Sequence, residues 1–157
     1  METKKSFRNV AIRSLGSGDD IQFQGMLDLF SDVFDDARHY SSARPARQYR
    51  EALLARDDIF MLVALADQTI VGALVAYELR KFEQERSEFY IYDLAVSERW
   101  RRRGIATALI DNLKVTARKK GGWVIYVQAD YGDEPATAFY TKLGTREDVM
   151  HFDLSVD

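Results

Sequence analysis

Residues Glu88 to Lys120 constrain the fold more than any other stretch. A strand-like run, Glu88-Phe89-Tyr90-Ile91-Tyr92-Asp93-Leu94-Ala95-Val96, passes through the turn Arg101-Arg102-Arg103-Gly104 into a segment with Ile105, Leu109, Ile110, Leu113 and Ala117 at helical spacing. This helix is expected over Gly104 to Lys120, basic at its end and stopped by Gly121-Gly122. Such a passage leaves backbone N–H groups unpaired at the helix start and directs the positive end of the helix dipole at the turn, which makes an anion site. Gly104 lets backbone approach a phosphate closely, Ala106 keeps the next turn open, and the arginines add charge, so a pyrophosphate fits better than a carboxylate. By itself an arginine run before a helix is commonly a solvated turn, and the neighbouring elements must carry the distinction.

Upstream, a first strand is expected around Val10 to Leu15. Ser17 with Asp20 resembles a capping box, and Phe23, Met26, Leu27, Phe30, Val33 and Phe34 follow at helical spacing. A second helix is expected from Pro45 to Arg56. Two β-rich runs, Ile59 to Leu65 and Ile70 to Leu79, flank the hairpin loop Ala66-Asp67-Gln68-Thr69. Downstream come a strand at Trp123 to Ala129, a helix at Pro135 to Leu143 stopped by Gly144, and a last strand at Val149 to Leu154. The order β-αα-βββ-α-β-α-β is neither strict βαβ alternation nor all-β. It predicts an α+β fold with a mixed, largely antiparallel central sheet and helices on both faces. At 157 residues and 46% hydrophobic, one domain spanning residues 1–157 can bury an ordinary core.

The chain has no cysteine, which excludes disulfides, a thiolate nucleophile and cysteine-ligated zinc. Met1 to Val10 lacks the apolar core of a secretory signal and no apolar run is long enough for a membrane span, so a cytoplasmic protein with no membrane partner is expected. A net charge of −3 with a single short basic run argues against a nucleic-acid partner. His39 and His151 are isolated, and no metal is assigned.

The pattern Arg101-x-x-Gly104-x-Ala106, preceded by Leu94-Ala95-Val96, resembles the acetyl-CoA pyrophosphate loop of the GNAT N-acetyltransferase superfamily. The later residues Ala136, Phe139-Tyr140, Lys142 and Gly144 strengthen that resemblance, as does the order of elements. No Gly-Lys-Ser/Thr occurs after a glycine-rich loop, which disfavours a Walker-type P-loop. Further blocks are similar to the type I aminoglycoside 3-N-acetyltransferases, which confer gentamicin resistance: Gly72 to Tyr77, Lys81 to Gln84, Tyr90 to Val96, Gly104 to Ile110, Val124 to Asp133 and Val149 to Asp153.

The resemblance implies acetyl-CoA as cofactor, bound by Leu94, Ala95 and Val96 along the pantetheine arm and by Arg101, Arg102, Arg103, Gly104, Ile105, Ala106 and Thr107 at the pyrophosphate. It implies catalytic roles for Asp93 at the amine and for Tyr140 at the departing thiolate and the cofactor. Glu88 and Asp130 stand as alternative, water-linked bases.

An acidic set stands beside the basic turn: Asp32, Asp35 and Asp36; Glu83, Glu85 and Glu88; Asp93; then Asp130, Asp133 and Glu134. Should these loops converge, they would suit a polycationic acceptor. Glu83, Glu88, Tyr92, Asp93, Asp130, Asp133 and Glu134 are the substrate-binding candidates. Asp93 and Asp130 interrupt or end apolar strands, where an ionised carboxylate needs a partner or a purpose. Tyr77, Tyr90, Tyr92, Tyr126, Tyr131 and Tyr140 interleave with the acids, as packing residues or as platforms for sugar rings.

The expected activity is acetylation of an aminoglycoside amine, specifically the 3-amino group of the 2-deoxystreptamine ring. Acetylation of a polyamine or protein amine is the alternative. A silent acyl-CoA sensor would need neither Asp93 nor Tyr140, and an RNA-binding module would spread its basic charge more widely. The family's common homodimer is a further expectation, with the last strand and an exposed sheet edge as candidate contacts.

Overall fold

The computed structural model describes residues 9–157; the first eight residues of the basic segment read as lacking a signal core lie outside them. Contacts divide the chain into two compact units, Met1–Val127 and Gln128–Asp157.

The first unit is built on a five-stranded sheet. Its strands are β1 (Val10–Ser14), β2 (Ile59–Ala66), β3 (Thr69–Arg80), β4 (Ser87–Val96) and β5 (Gly122–Val127), in spatial order 1-2-3-4-5. The first three pairings are antiparallel and β4 pairs β5 in parallel. The parallel step requires a crossover, supplied by helix α4 (Ile105–Lys119). Before the sheet proper come α1 (Asp20–Val33), α2 (Ala37–Tyr40) and α3 (Arg47–Leu54).

The apolar runs of β2 and β3 are buried because both sheet faces are covered. Met61, Val63, Ala73, Val75 and Ala95 form one core with Phe23, Met26, Leu29 and Phe30 of α1 and Leu54 of α3. The alternate residues face α4: a Cβ on Gly72 would lie 2.9 Å from Cγ2 of Ile105 and 3.4 Å from the Cβ of Ala64. All five residues proposed for the apolar face of α4 are buried. Arg50 joins α3 to α1, its Nε and Nη2 donating to Asp20 at 2.5 and 2.9 Å and its Nη1 to the Pro45 carbonyl at 2.6 Å. At the far end of α4, Lys120 pairs with the buried carboxylate of Glu78 at 3.1 Å, which also accepts from Ser87 Oγ at 2.7 Å.

Several local expectations are corrected. Asp19, not Ser17, is the N-cap of α1, and it makes no side-chain cap; its carboxylate turns back to accept from the Gly16 N–H at 2.8 Å and to pair with Arg13. The four-residue α2 had no periodic signal, since it is too short to show one. The hairpin loop tightens to Asp67-Gln68, with Asp67 at φ 55°.

In the second unit, α5 (Glu134–Thr141) forms with Pro135 in its first turn and Asp133 as N-cap, accepting from the Ala136 N–H at 3.2 Å. The strand expected over Val149 to Leu154 does not form: no described strand pairs with the segment, and Val149, Met150, Phe152 and Leu154 are exposed. A period-two apolar pattern becomes a strand only where a partner supplies its ladder. Tyr131 donates to Asp148 at 2.9 Å, and Arg146 holds the same carboxylate. Among the described residues no helix is long and apolar enough to cross a membrane.

Candidate active site

The site is organised by an irregularity in β4. Its pairing with β3 runs Val75 to Asp93 and then Ala76 to Ile91, so Tyr92 is an extra residue, a β-bulge. A bulge shifts strand parity by one, which explains why Asp93 looked out of place on an apolar strand. Before it, Phe89 and Ile91 are buried and Tyr90 lies on the other face; after it, Asp93 and Ala95 take up that second face, the one packed by α1. Tyr90, Tyr92 and Asp93 therefore share one face.

The partner edge changes at the same place. The β4–β5 pairing ends at Ile91 and Val127, so from Tyr92 to Val96 the strand is bonded to β3 alone among the described strands. The Ser97 N–H donates to the Val71 carbonyl at 2.8 Å, on the β3 side. By strand alternation the N–H and C=O groups of Leu94 and Val96 point to the opposite edge, while those of Ala95 point to β3. The Val96 carbonyl accepts there from Arg101 Nε at 3.2 Å.

The chain then forms a 3-10 turn (Glu98–Trp100) and the basic turn. Arg102 takes φ 58° and Gly104 φ 74°, both left-handed, and Gly104 is the N-cap of α4 with no side-chain cap. Gly104 has no side chain with which to cap the first-turn N–H groups at Ile105, Ala106 and Thr107, which suits an anion-binding helix start. Arg101 and Arg103 turn to other partners: Arg101 folds onto Val96, and the Arg103 guanidinium lies 4.7 Å from the Trp100 ring centre. An anion at this turn would therefore meet mainly backbone N–H groups. An adjoining cleft of about 760 Å³ is lined by Asp28 and Asp32 of α1 together with Ser97, Arg99 and Trp100.

Asp93 is half-buried and accepts at Oδ2 from the Tyr40 hydroxyl at 2.8 Å. Burial raises its carboxyl above the ordinary range, and the Tyr40 hydrogen bond opposes that shift. Around it the rings of Tyr77 and Tyr92 meet edge-on at 5.9 Å, Tyr90 and Tyr92 do likewise at 5.9 Å, and Tyr90 stacks on Tyr126 at 4.7 Å. Burial, with the negative charge of nearby groups, raises the Tyr77 and Tyr90 phenols, so these rings stay neutral.

Within the first unit the acidic set is only partly gathered. Glu83 and Glu88 are both held by Lys81, at 3.4 and 3.5 Å, which offsets their charge. Glu88 is five residues from Asp93, roughly 16 Å along the strand, too far to share a proton with a group at Asp93 directly. Asp36 caps α2, accepting from the His39 N–H at 3.1 Å, and Asp35 sits at φ 49° after α1. Asp130, Asp133, Glu134 and Tyr140 belong to the second unit. There Asp133 and Glu134 serve the N-terminus of α5, and burial pushes the Tyr140 phenol up to about 12. Tyr40 was missed by sequence reasoning, since nothing local marks it. The available signal was its position just after an aromatic helix face ending in Phe30 and Phe34.

The sequence model of the Acetyltransferase (GNAT) family matches residues 23–145. An aminoglycoside acetyltransferase, HMB0005, from an uncultured soil metagenomic sample is 48% identical; the alignment covers 94% of this chain and 99% of that one, with a TM-score of 0.92. A second, meta-AAC0020 from an uncultured soil metagenomic sample, solved in complex with sisomicin, is 31% identical over 94% of this chain and 97% of its own, with a TM-score of 0.87. An uncharacterized N-acetyltransferase of Methanocaldococcus jannaschii, MJ1207, is 27% identical over 94% of this chain, which spans only 65% of that relative's length.

Proposed function

The chain belongs to the acetyltransferase (GNAT) family, and from that premise we propose that it moves an acetyl group from acetyl-CoA to an amine of an aminoglycoside, at the 3-amino group of the 2-deoxystreptamine ring. The observation that carries the acceptor assignment is Asp93: a half-buried carboxylate, hydrogen-bonded to a tyrosine and flanked by tyrosine rings, with no cation paired to it among the described residues. A carboxylate beside aromatic faces favours a cationic, ring-shaped ligand such as an amino sugar. The two aminoglycoside acetyltransferases similar to this chain support the same class of acceptor.

The residues present fit acetyl-CoA. The unpaired edge of β4 offers the backbone of Leu94 and Val96 to a pantetheine arm, and the turn from Arg101 to Thr107 offers N–H groups to a pyrophosphate. Arg101 must release the Val96 carbonyl for that carbonyl to accept a new donor, which frees its guanidinium for phosphate. Acetyl-CoA supplies a thioester that reacts with a neutral amine.

Transfer forms a C–N bond, breaks the C–S bond and moves one proton from the amine to the departing sulfur. Asp93 orients the amine and receives its proton, directly or through one water; a carboxyl raised by burial is a better base than an exposed one. The family resemblance assigns Tyr140 the proton for the departing sulfur, and its raised phenol keeps that proton at neutral pH.

The test is acetyl-CoA-dependent thiol release with gentamicin, kanamycin, spermidine and a lysine peptide, with the modified nitrogen located by NMR. Turnover with the aminoglycosides and raised gentamicin resistance in a susceptible bacterium are expected. Turnover with spermidine or the peptide alone would move the acceptor to another amine class.

A further inference from the structure

Tyr40 lies 53 residues from Asp93 in sequence, yet its hydroxyl is the hydrogen-bond partner of that carboxylate at 2.8 Å. Its ring is held by two others, Phe30 and Phe34, each with centroids 5.7 Å away. Its backbone is held as well: the Tyr40 N–H donates to the Asp36 carbonyl at 3.2 Å, and Arg44, which pairs with Asp28 of α1, donates to the Tyr40 carbonyl at 3.4 Å. Ser41 Oγ donates to Ser31 Oγ of α1 at 2.8 Å. A four-residue helix would not persist alone, so these ties to α1 place the hydroxyl.

We propose that Tyr40 is a positioning residue for the acetyl transfer, fixing the Asp93 carboxylate through Oδ2 so that Oδ1 is left to take the acceptor ammonium and its proton. The proposal rests on the reading that Asp93 serves the amine. A carboxylate free to rotate offers either oxygen at variable depth, whereas one held at 2.8 Å presents a single oxygen in a single direction. Among the described residues the groups facing Asp93 are Tyr40 from α2, Tyr77 from β3 and Tyr90 and Tyr92 on its own strand, with Asp36 near the Tyr40 hydroxyl. No cation stands among them, so the Tyr40 hydroxyl is the group that favours the ionised carboxylate. Burial and that same hydrogen bond raise the Tyr40 phenol, keeping it a donor across the working pH range.

The test is Tyr40→Phe, which keeps the ring and both aromatic contacts. The titration of Asp93 is followed by carboxyl carbon NMR, its resonance assigned by disappearance in Asp93→Asn, so that the amine's own ionisation does not enter. The expected result is a midpoint moved to higher pH, kcat/KM for the amine lowered about tenfold on the acid limb, as for one lost charge-assisted hydrogen bond, and an unchanged acetyl-CoA KM. An unmoved midpoint, or a loss equal at every pH and matched by a fall in Tm, would overturn the positioning role while leaving Asp93 in place. Wild-type turnover in Asp93→Asn would instead remove the assignment of Asp93 and this inference with it.

Discussion

Replacing Gly72 by alanine perturbs the turn before α4 from behind, without touching any group that faces a ligand. Gly72 pairs with Val96 across β3 and β4, and a methyl there would stand 2.9 Å from Cγ2 of Ile105, 3.4 Å from the Cβ of Ala64 and 3.5 Å from the Ala95 carbonyl oxygen. Ile105 is the first residue of α4 and is 2% exposed, so it has no solvent side to move into. Overpacking of this kind costs about 1–3 kcal/mol. The stiffer unfolded chain returns about 0.4–1 kcal/mol of that. The net loss of up to about 2.6 kcal/mol corresponds to a fall in Tm of up to about 10 °C for a chain of this size. Because Ile105 follows Gly104 directly, the acetyl-CoA KM should rise severalfold with the acceptor KM unchanged. Thermal unfolding and initial-rate kinetics read both effects, and Gly16→Ala, where a Cβ meets nothing within 4 Å, is the control. A Gly72→Ala protein with the control's Tm and acetyl-CoA KM would refute the packing argument and the coupling to the turn.

Gly104→Val places a β-branched residue at φ 74°, and initial rates should show a larger rise in the KM for acetyl-CoA than for the acceptor. Tyr140→Phe should lower kcat by about 10²- to 10⁴-fold with acetyl-CoA affinity nearly intact, measured by turnover and by calorimetry. Asp93→Asn should lower kcat/KM for the amine while raising Tm near neutral pH. The folded-state carboxyl is raised above its unfolded value, so its contribution to stability is present in acid and lost as pH rises through the raised pKa. The stability gap between variant and wild type should therefore close as pH falls, as followed by thermal unfolding across the acid range.

The sequence by itself determined the elements whose signal is local and periodic. The apolar stripe of α4 and the runs of β2 and β3 follow from side-chain spacing, and all five apolar positions of α4 are buried. The suspicion attached to Asp93 was also legible, since a carboxylate in an apolar strand is costly without a partner.

What only the tertiary structure decided depends on pairing between distant segments. The bulge at Tyr92 exists only in register against β3, and it turns Asp93 onto the face of Tyr90. Among the described strands the edge of β4 is open from Tyr92 to Val96 only because its parallel pairing with β5 stops at Ile91 and Val127. Tyr40 meets Asp93 only because α2 is tied to α1, and Val149 to Leu154 is not a strand because no described strand pairs with it. Local spacing encodes which face of an element is apolar. Which partner that face meets, and in which register, is set by the summed pairing and burial of the whole chain.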